Sequence, residues 1–264
     1  MTQTDPTRPL ALVTGASRGI GAELAGVLAQ RGYDLLVVAE DAALGDAAER
    51  LRRHGTDVRA VTADLAEPHG VQVVDRAVAD TGRPLAVAAL NAGVGSGGAF
   101  VSSDLADELR LIDLNVRSTV HLAHSVLTGM LAQGEGRVLL TSSIAATMPG
   151  SHQAVYNASK SFVQSFAEAV ADELRGTGVT VTSLMPGPTA TDFFRRAGLP
   201  DSLMGRAPKD DPGTVARQGY DALMAGRTAV VAGSPAVQAQ AALAGVVPDQ
   251  VKAALHRVLA RTSR

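Results

Sequence analysis

What most limits the possible folds of this chain is a repeated unit: a short aliphatic run followed by a longer stretch of helical periodicity. Seven such runs stand out, at Leu10–Thr14, Leu35–Ala39, Val58–Ala60, Leu85–Leu90, Arg137–Thr141, Val179–Leu184 and Ala229–Val231. Helical spacing predicts helices between them, near Ile20–Gln30, Ala42–His54, His69–Asp80, Leu105–Ala132, Ser159–Leu174 and Pro212–Ala225. Aliphatic runs alternating with helical stretches mark parallel strands covered by helices on each side. The expected fold is therefore α/β: a doubly wound, seven-stranded parallel sheet with helices on both faces. No long Pro/Gly/Ser linker divides it, so residues 10–264 are expected to form one domain.

The 264 residues suffice for one large core, and 46% apolar content excludes extended disorder. The net charge of -2, from 24 basic and 26 acidic residues, shows no basic block of the kind that grips nucleic acid. Arg257, Arg261 and Arg264 are sparse enough for a solvated helix face. Cysteine is absent, which removes disulfides and thiolate chemistry. No compact His/Asp/Glu cluster suggests a metal, so none is expected. Met1–Pro9 is polar, without the apolar core of a signal peptide, and reads as a flexible tail; Leu10–Thr14 is too short to span a bilayer. A cytoplasmic protein with no membrane or nucleic-acid partner is expected. From Ser234 the chain is Ala-rich and helical in character, with Pro248 interrupting or beginning a helix that covers a pocket or packs on another subunit.

Between the first strand and first helix lies Thr14-Gly15-Ala16-Ser17-Arg18-Gly19-Ile20-Gly21. Gly15 permits a sharp turn and lets backbone approach an anion, while the helix N-terminus beyond offers free N–H groups to a pyrophosphate. Gly19 and Gly21 remove side chains where helix and ligand both come close. The same glycines also serve a plain tight connection. No Lys-Ser or Lys-Thr pair follows them, which counts against a P-loop. Asp64-Leu65 and Asn91-Ala92-Gly93 follow the third and fourth strands, outside whose carboxyl ends such sheets bind ligands.

Tyr156-Asn157-Ala158-Ser159-Lys160 is the strongest local signal. Tyr156 and Lys160 share a helix face if the helix begins by Tyr156. The chain has only three lysines, Lys160, Lys209 and Lys252. An ammonium beside a phenol favours the phenolate and lowers its pKa. The plain alternative is a lysine snorkelling over a core tyrosine. Ser143, at the end of the fifth strand, is placed to hold a substrate oxygen while Tyr156 gives or takes its proton; Ser142 ranks second.

Together, the loop Thr14–Gly21, Asp64, Asn91–Gly93, Asn115, Ser143 and the YxxxK pattern Tyr156–Lys160 resemble the short-chain dehydrogenase/reductase family, through at least Pro186-Gly187. The resemblance implies a Rossmann-type dinucleotide-binding catalytic domain. It also implies a nicotinamide cofactor, a catalytic tetrad of Asn115, Ser143, Tyr156 and Lys160, and a homodimer or homotetramer built through the long helices near Leu105–Ala132 and Ser159–Leu174. In this reading Gly15, Ser17, Arg18, Gly19, Ile20 and Gly21 contact the cofactor, as do Glu40, Asp64, Leu65, Asn91, Ala92, Gly93, Tyr156 and Lys160. Pro186, Gly187, Thr189 and Thr191 are implied on its nicotinamide side. By residue type alone, Asn115 equally suits a local backbone bond within a helix; the resemblance implies that it holds a water linking Lys160 to solvent.

The implied reaction moves a hydride between the nicotinamide and a carbonyl or alcohol. Tyr156 is the general acid/base, Ser143 orients the oxygen, and Lys160 tunes the tyrosine and touches the ribose. Glu40 and Asp41 stand where phosphate-selecting relatives carry a basic residue, whereas Arg18 resembles a phosphate contact. Repulsion of a 2′-phosphate by the two acids tips the expectation from either NAD(H) or NADP(H) toward NAD(H). The segment at about residues 188–210, with Phe193, Phe194, Leu199, Leu203 and Met204 punctuated by Gly198, Pro200 and Gly205, resembles a substrate-covering loop and favours an apolar small-molecule substrate. His152 is read at the entrance or on the surface. A catalytically silent nicotinamide-binding regulator is the alternative function; it would not require the intact tetrad.

Overall fold

The structure, a computed structural model, describes residues 8–244 and 247–261. The first half runs β1 (Leu10–Thr14), α1 (Gly19–Gln30), β2 (Asp34–Ala39), α2 (Ala43–Arg52), β3 (Val58–Thr62), α3 (Pro68–Ala79), β4 (Leu85–Leu90), α4 (Leu105–Ile112) and α5 (Ser118–Gln133). The second runs β5 (Gly136–Thr141), α6 (Ala154–Glu173), β6 (Val179–Pro186), α7 (Phe193–Arg196), α8 (Leu203–Arg206), α9 (Pro212–Met224), β7 (Ala229–Ala232), α10 (Pro235–Ala244) and α11 (Asp249–Ala260).

All seven strands pair in parallel, in the order β3-β2-β1-β4-β5-β6-β7. The α/β doubly wound sheet expected from the aliphatic runs is therefore present. Strand alternation divides the core between two layers. Leu10 and Leu12 of β1 face a cluster shared with Val71 and Val74 of α3, Leu122 of α5 and Val163 of α6. Ala11 and Val13 face the other cluster, with Leu24 and Leu28 of α1, Leu44 of α2 and Val215 of α9. Strand order reverses between β1 and β4, so the crevice beyond their carboxyl ends is the natural ligand site. The glycine loop and Asn91–Gly93 flank it.

Four details add to or depart from the sequence reading. The single helix expected over Leu105–Ala132 is broken by a π turn at Asp113–Arg117. Its wider register frees carbonyls that hydroxyls then fill: Ser118 Oγ donates to Leu114 O (2.5 Å) and Thr119 Oγ1 to Asn115 O (2.9 Å). α6 starts at Ala154, before Tyr156, because Asn157 Nδ2 donates to Ala145 O and Met148 O, both at 3.1 Å, and anchors a first turn that lacks helical pattern. The 188–210 segment is an excursion closed at its base. Asp210 N donates to Pro188 O and Ala190 N to Asp210 O, and Phe194, Ala197 and Leu199 form a small core within it. Of the expected flexible tail, residues 1–7 lie outside the described residues, but Arg8 and Pro9 are tied down: Arg83 donates to Arg8 O, and Pro9 O accepts from Asp34 N.

The alanine-rich C-terminal stretch forms α10 and α11, with Pro248 as the N-cap of α11. Arg257 and Arg261 are exposed, and Arg264 lies outside the described residues. Among the described residues no helix is long and apolar enough to cross a membrane.

Candidate active site

The floor of the crevice is knitted by β1, β4 and β5. Thr14 Oγ1 accepts from Asn91 N and Ala92 N, both at 3.0 Å, and Thr141 Oγ1 donates to Asn91 Oδ1 at 3.1 Å. Asn91 is thus spent on joining three strand ends. Gly15, at φ +66°, turns the chain where a Cβ would stand 3.0 Å from Ala92 Cα. Gly21 packs inward: a Cβ there would run into Gly15 O, so this glycine fits α1 against the loop and does not line the cleft. Arg18 precedes α1 with extended backbone and makes no side-chain cap, leaving the first-turn N–H groups of α1 without a side-chain acceptor.

A cleft of about 780 Å³ runs from this loop to Ser143, Tyr156 and Lys160. Ser17, Arg18, Gly19, Ile20, Glu40, Asp64, Leu65, Asn91, Ala92 and Gly93 line it, as do Pro186, Gly187, Thr189 and Thr191. The hydroxyl of Thr189 donates to Gly187 O (2.9 Å), while Thr191 lies over the glycine loop, its Cγ2 3.0 Å from where a Gly19 Cβ would stand. His152 is absent from the lining; its backbone sits at φ +65° and its carbonyl accepts from Gly98 N.

One turn of α6 presents Tyr156 and Lys160 to the cleft, both buried. Ser143, at the tip of β5, accepts from Ala145 N (3.1 Å), and Phe193 of α7 packs on Tyr156 with ring centroids 5.2 Å apart. Ser142 is turned away and donates to Lys160 O at 2.9 Å. Lys160 Nζ donates to Thr141 O at 2.8 Å. Burial pushes the Tyr156 phenol up to about 12, with the Ser143 hydroxyl acting in the opposite sense, and burial pulls Lys160 down to about 8. The lowering of Tyr156 by its lysine neighbour, expected from sequence, is therefore not found: burial of the phenol sets the direction and only the Ser143 hydroxyl opposes it.

Asn115 sits behind this pair. Its Nδ2 donates to Val94 O (2.9 Å) and Ser159 Oγ (3.0 Å), and its Oδ1 accepts from Val94 N (2.9 Å). Ser159 Oγ in turn donates to Tyr156 O. Asn115 and Lys160 close on the same place at Gly93, where a Cβ would stand 3.1 Å from Asn115 Oδ1 and 3.2 Å from Lys160 Nζ.

The far end of the cleft carries charges that sequence reasoning left unconnected. Asp41 accepts from Ser17 Oγ (2.9 Å) and pairs with Arg18 (3.1 Å). Partial burial would raise its carboxyl, but these two partners hold it below the ordinary carboxylate value. Arg18 also reaches Asp192 at 3.2 Å. Glu40 lies between Arg110 (3.3 Å) and Arg196 (3.5 Å), and Arg110 also binds Asp64 at 2.7 Å. Arg110 and Arg196 were missed because their helices, α4 and α7, are far from Glu40 in sequence.

The glycine cradle, open helix N-terminus and adjoining polar cleft fit a dinucleotide, and the Tyr-Lys pair with Ser143 fits proton transfer to a carbonyl oxygen. This is the architecture of a dinucleotide-dependent dehydrogenase. The family profile described as short chain dehydrogenase matches residues 9–200. The chain is 35% identical over 189 residues to the 3-oxoacyl-[acyl-carrier-protein] reductase of Synechocystis sp., covering 71% of this chain and 76% of that protein. It is 33% identical over 186 residues, 70% of its length, to the glycine betaine reductase ATRR of Emericella nidulans, of which it spans 15%. A short-chain dehydrogenase from Sphingobium yanoikuyae, solved in complex with NADPH, superposes with a TM-score of 0.80 at 29% identity, covering 90% of this chain and 93% of that one. The chain belongs to the short-chain dehydrogenase family. It is an oxidoreductase that transfers hydride with a nicotinamide cofactor.

Proposed function

We propose that this enzyme interconverts an apolar ketone or aldehyde and its alcohol, with Tyr156 as general acid/base. The observation that carries this reading is the placement of Tyr156 and Lys160 on one helical turn beside Ser143, in the same cleft as the glycine loop. When bound, the nicotinamide supplies or accepts the hydride. The glycine loop and α1 hold the pyrophosphate, with Thr191 over that loop; Glu40, Asp64, Leu65 and Asn91–Gly93 surround the adenosine half, and Pro186, Gly187 and Thr189 the nicotinamide half. Ser143 Oγ bonds the substrate oxygen and steadies its developing charge. Tyr156 Oη delivers the proton in reduction and removes it in oxidation. Lys160, as an ammonium, favours the phenolate and reaches the ribose. Asn115, which meets Lys160 at Gly93, seats a water that links Lys160 to solvent. No observation favours the silent regulator.

NAD(H) is the preferred cofactor, because two carboxylates, Glu40 and Asp41, stand at the ribose end and would oppose a 2′-phosphate. The NADPH in the Sphingobium relative argues the other way. The exposed apolar side chains Phe100, Leu105, Leu109, Ile112 and Phe162 form a face on α4 and α6 and the segment before α4, through which the chain assembles as a homodimer or homotetramer. Sedimentation that returns a monomer would refute this assembly. The absence of cysteine suits a cytoplasmic setting.

The test is a nicotinamide absorbance assay over varied ketones and alcohols, with both cofactors, on the wild type and Tyr156→Phe. The variant is expected to bind cofactor normally and to lose turnover by about 10²- to 10⁴-fold. Ordinary turnover in Tyr156→Phe would overturn the assignment, and a higher kcat/KM with NADPH than with NADH would overturn the cofactor preference.

A further inference from the structure

The two C-terminal helices wall the outer half of the cleft. α10 presses on the nicotinamide-side loop: a Cβ at Gly187 would stand 2.6 Å from Val237 Cγ1. α11 is fastened across the mouth at two points. Lys252 Nζ donates to Thr147 O at 3.0 Å, and His256 Nδ1 bonds Ser151 O at 2.9 Å. A carbonyl only accepts, so the His256 proton lies on Nδ1. Both carbonyls belong to the segment that joins Ser143 to Tyr156, so α11 is anchored to the chain that carries the reacting groups.

The walls so formed are apolar. Leu243 of α10, Val251, Leu255 and Leu259 of α11, and Leu203 and Met204 of α8 line one cleft with Tyr156. Leu203, Leu243, Val251 and Leu255 each keep more than half of their surface exposed, at 55 to 62%. Charges lining the cleft are otherwise committed. At the cofactor end Arg18, Glu40, Asp41, Asp64, Asp192 and Arg196 pair with acids or arginines. On the substrate side Lys160 and Lys252 donate to carbonyls, and Lys252 also pairs with Asp249 at 2.7 Å. Among the described residues, no uncommitted cation in this lining is available to meet a phosphate or carboxylate.

We infer that the substrate carries an extended, uncharged apolar arm that lies under α10 and α11 while its carbonyl or alcohol carbon sits at Tyr156. The occupant of the groove is the substrate itself, because the groove is continuous with the reacting groups. This inference rests on the placement of the reaction at Tyr156. Burying each further methylene in such a groove raises kcat/KM by about fourfold until the groove is filled.

The experiment pairs turnover with equilibrium binding. Turnover is measured over 2-alkanones from 2-butanone to 2-dodecanone. Binding uses the uncharged fluorophore N-phenyl-1-naphthylamine, with displacement by 2-dodecanone. The expected result is kcat/KM that climbs with chain length, one probe bound per chain, and displacement by the long ketone. Leu243→Asp with Leu255→Asp, two exposed positions that leave the core untouched, is expected to weaken the probe by about tenfold or more and to flatten the length dependence. Probe binding and displacement without turnover of any ketone would support the groove and count against the reaction at Tyr156. Turnover that ignores chain length, or probe binding unaltered by the double substitution, would overturn the inference and leave the reaction standing.

Discussion

Lys160 is buried, and among the described residues its ammonium donates to Thr141 O alone, at 2.8 Å. Desolvation lowers its pKa from 10.5 to about 8, a displacement worth about 3 kcal/mol of destabilisation whenever the lysine is charged in the fold. Because the folded value is the lower one, the unfolded chain holds the extra proton between about 8 and 10.5. The penalty is therefore complete below about pH 8 and is relieved as pH rises through that window. Replacing Lys160 with Met removes the titrating group at similar volume. The Thr141 carbonyl then loses its partner, at a cost of about 1 to 3 kcal/mol that does not depend on pH. The difference in unfolding free energy, Lys160→Met minus wild type, should consequently fall by about 2 to 3 kcal/mol between about pH 7 and pH 10. Urea unfolding of both proteins at matched pH values reads it directly, with all other titrating groups cancelling. Turnover should drop by at least about 100-fold in the same variant. Two stability curves that run parallel across this pH range would refute the reasoning, since they would mean that Lys160 is not held in a desolvated, destabilised charge state.

Two further perturbations bear on the cofactor half of the site. Gly21→Ala forces a Cβ onto Gly15 O and to 2.5 Å from Asn91 Nδ2, so it should destabilise the fold by roughly 1 to 3 kcal/mol and weaken nicotinamide binding; a thermal melt and a cofactor titration unchanged from wild type would count against the inward role given to this glycine. Glu40→Gln removes a carboxylate that would oppose a 2′-phosphate and frees Arg196, while Arg110 keeps its shorter pair with Asp64, so the ratio of kcat/KM for NADPH over NADH should rise by about tenfold or more; an unaltered ratio would place cofactor choice elsewhere.

Much of the fold was legible because the buried parallel strands carry their own signal: aliphatic runs such as Leu35–Ala39 and Leu85–Leu90 need no knowledge of their neighbours to be read as strands. The groups that converge on the cleft were legible for a related reason. The glycine loop, Asn91–Gly93 and the Tyr156–Lys160 turn follow or approach strand ends, and parallel strands bring their carboxyl ends to one edge. Side chains that bind across the fold were not legible. Asn157 starts α6 early through carbonyls in another segment, and Asn115 sits in a π turn whose freed carbonyls are taken by Ser118 and Thr119. Arg110 and Arg196 reach Glu40 from helices 70 and 156 residues further along the chain (110 − 40 and 196 − 40). Nor does sequence spacing reveal that α11 is pinned over the cleft by Lys252 and His256.

The amino-acid sequence by itself thus determined the sheet, the glycine loop and the Tyr-Lys turn, because strand burial, backbone freedom at glycine and helical spacing are local properties. Only the tertiary structure decided how the Tyr156 phenol and Lys160 ammonium are desolvated, how the acids at Glu40 and Asp41 are paired, and what walls the substrate groove. Each of these depends on which distant groups share a low-dielectric space, and that is a property of packing alone.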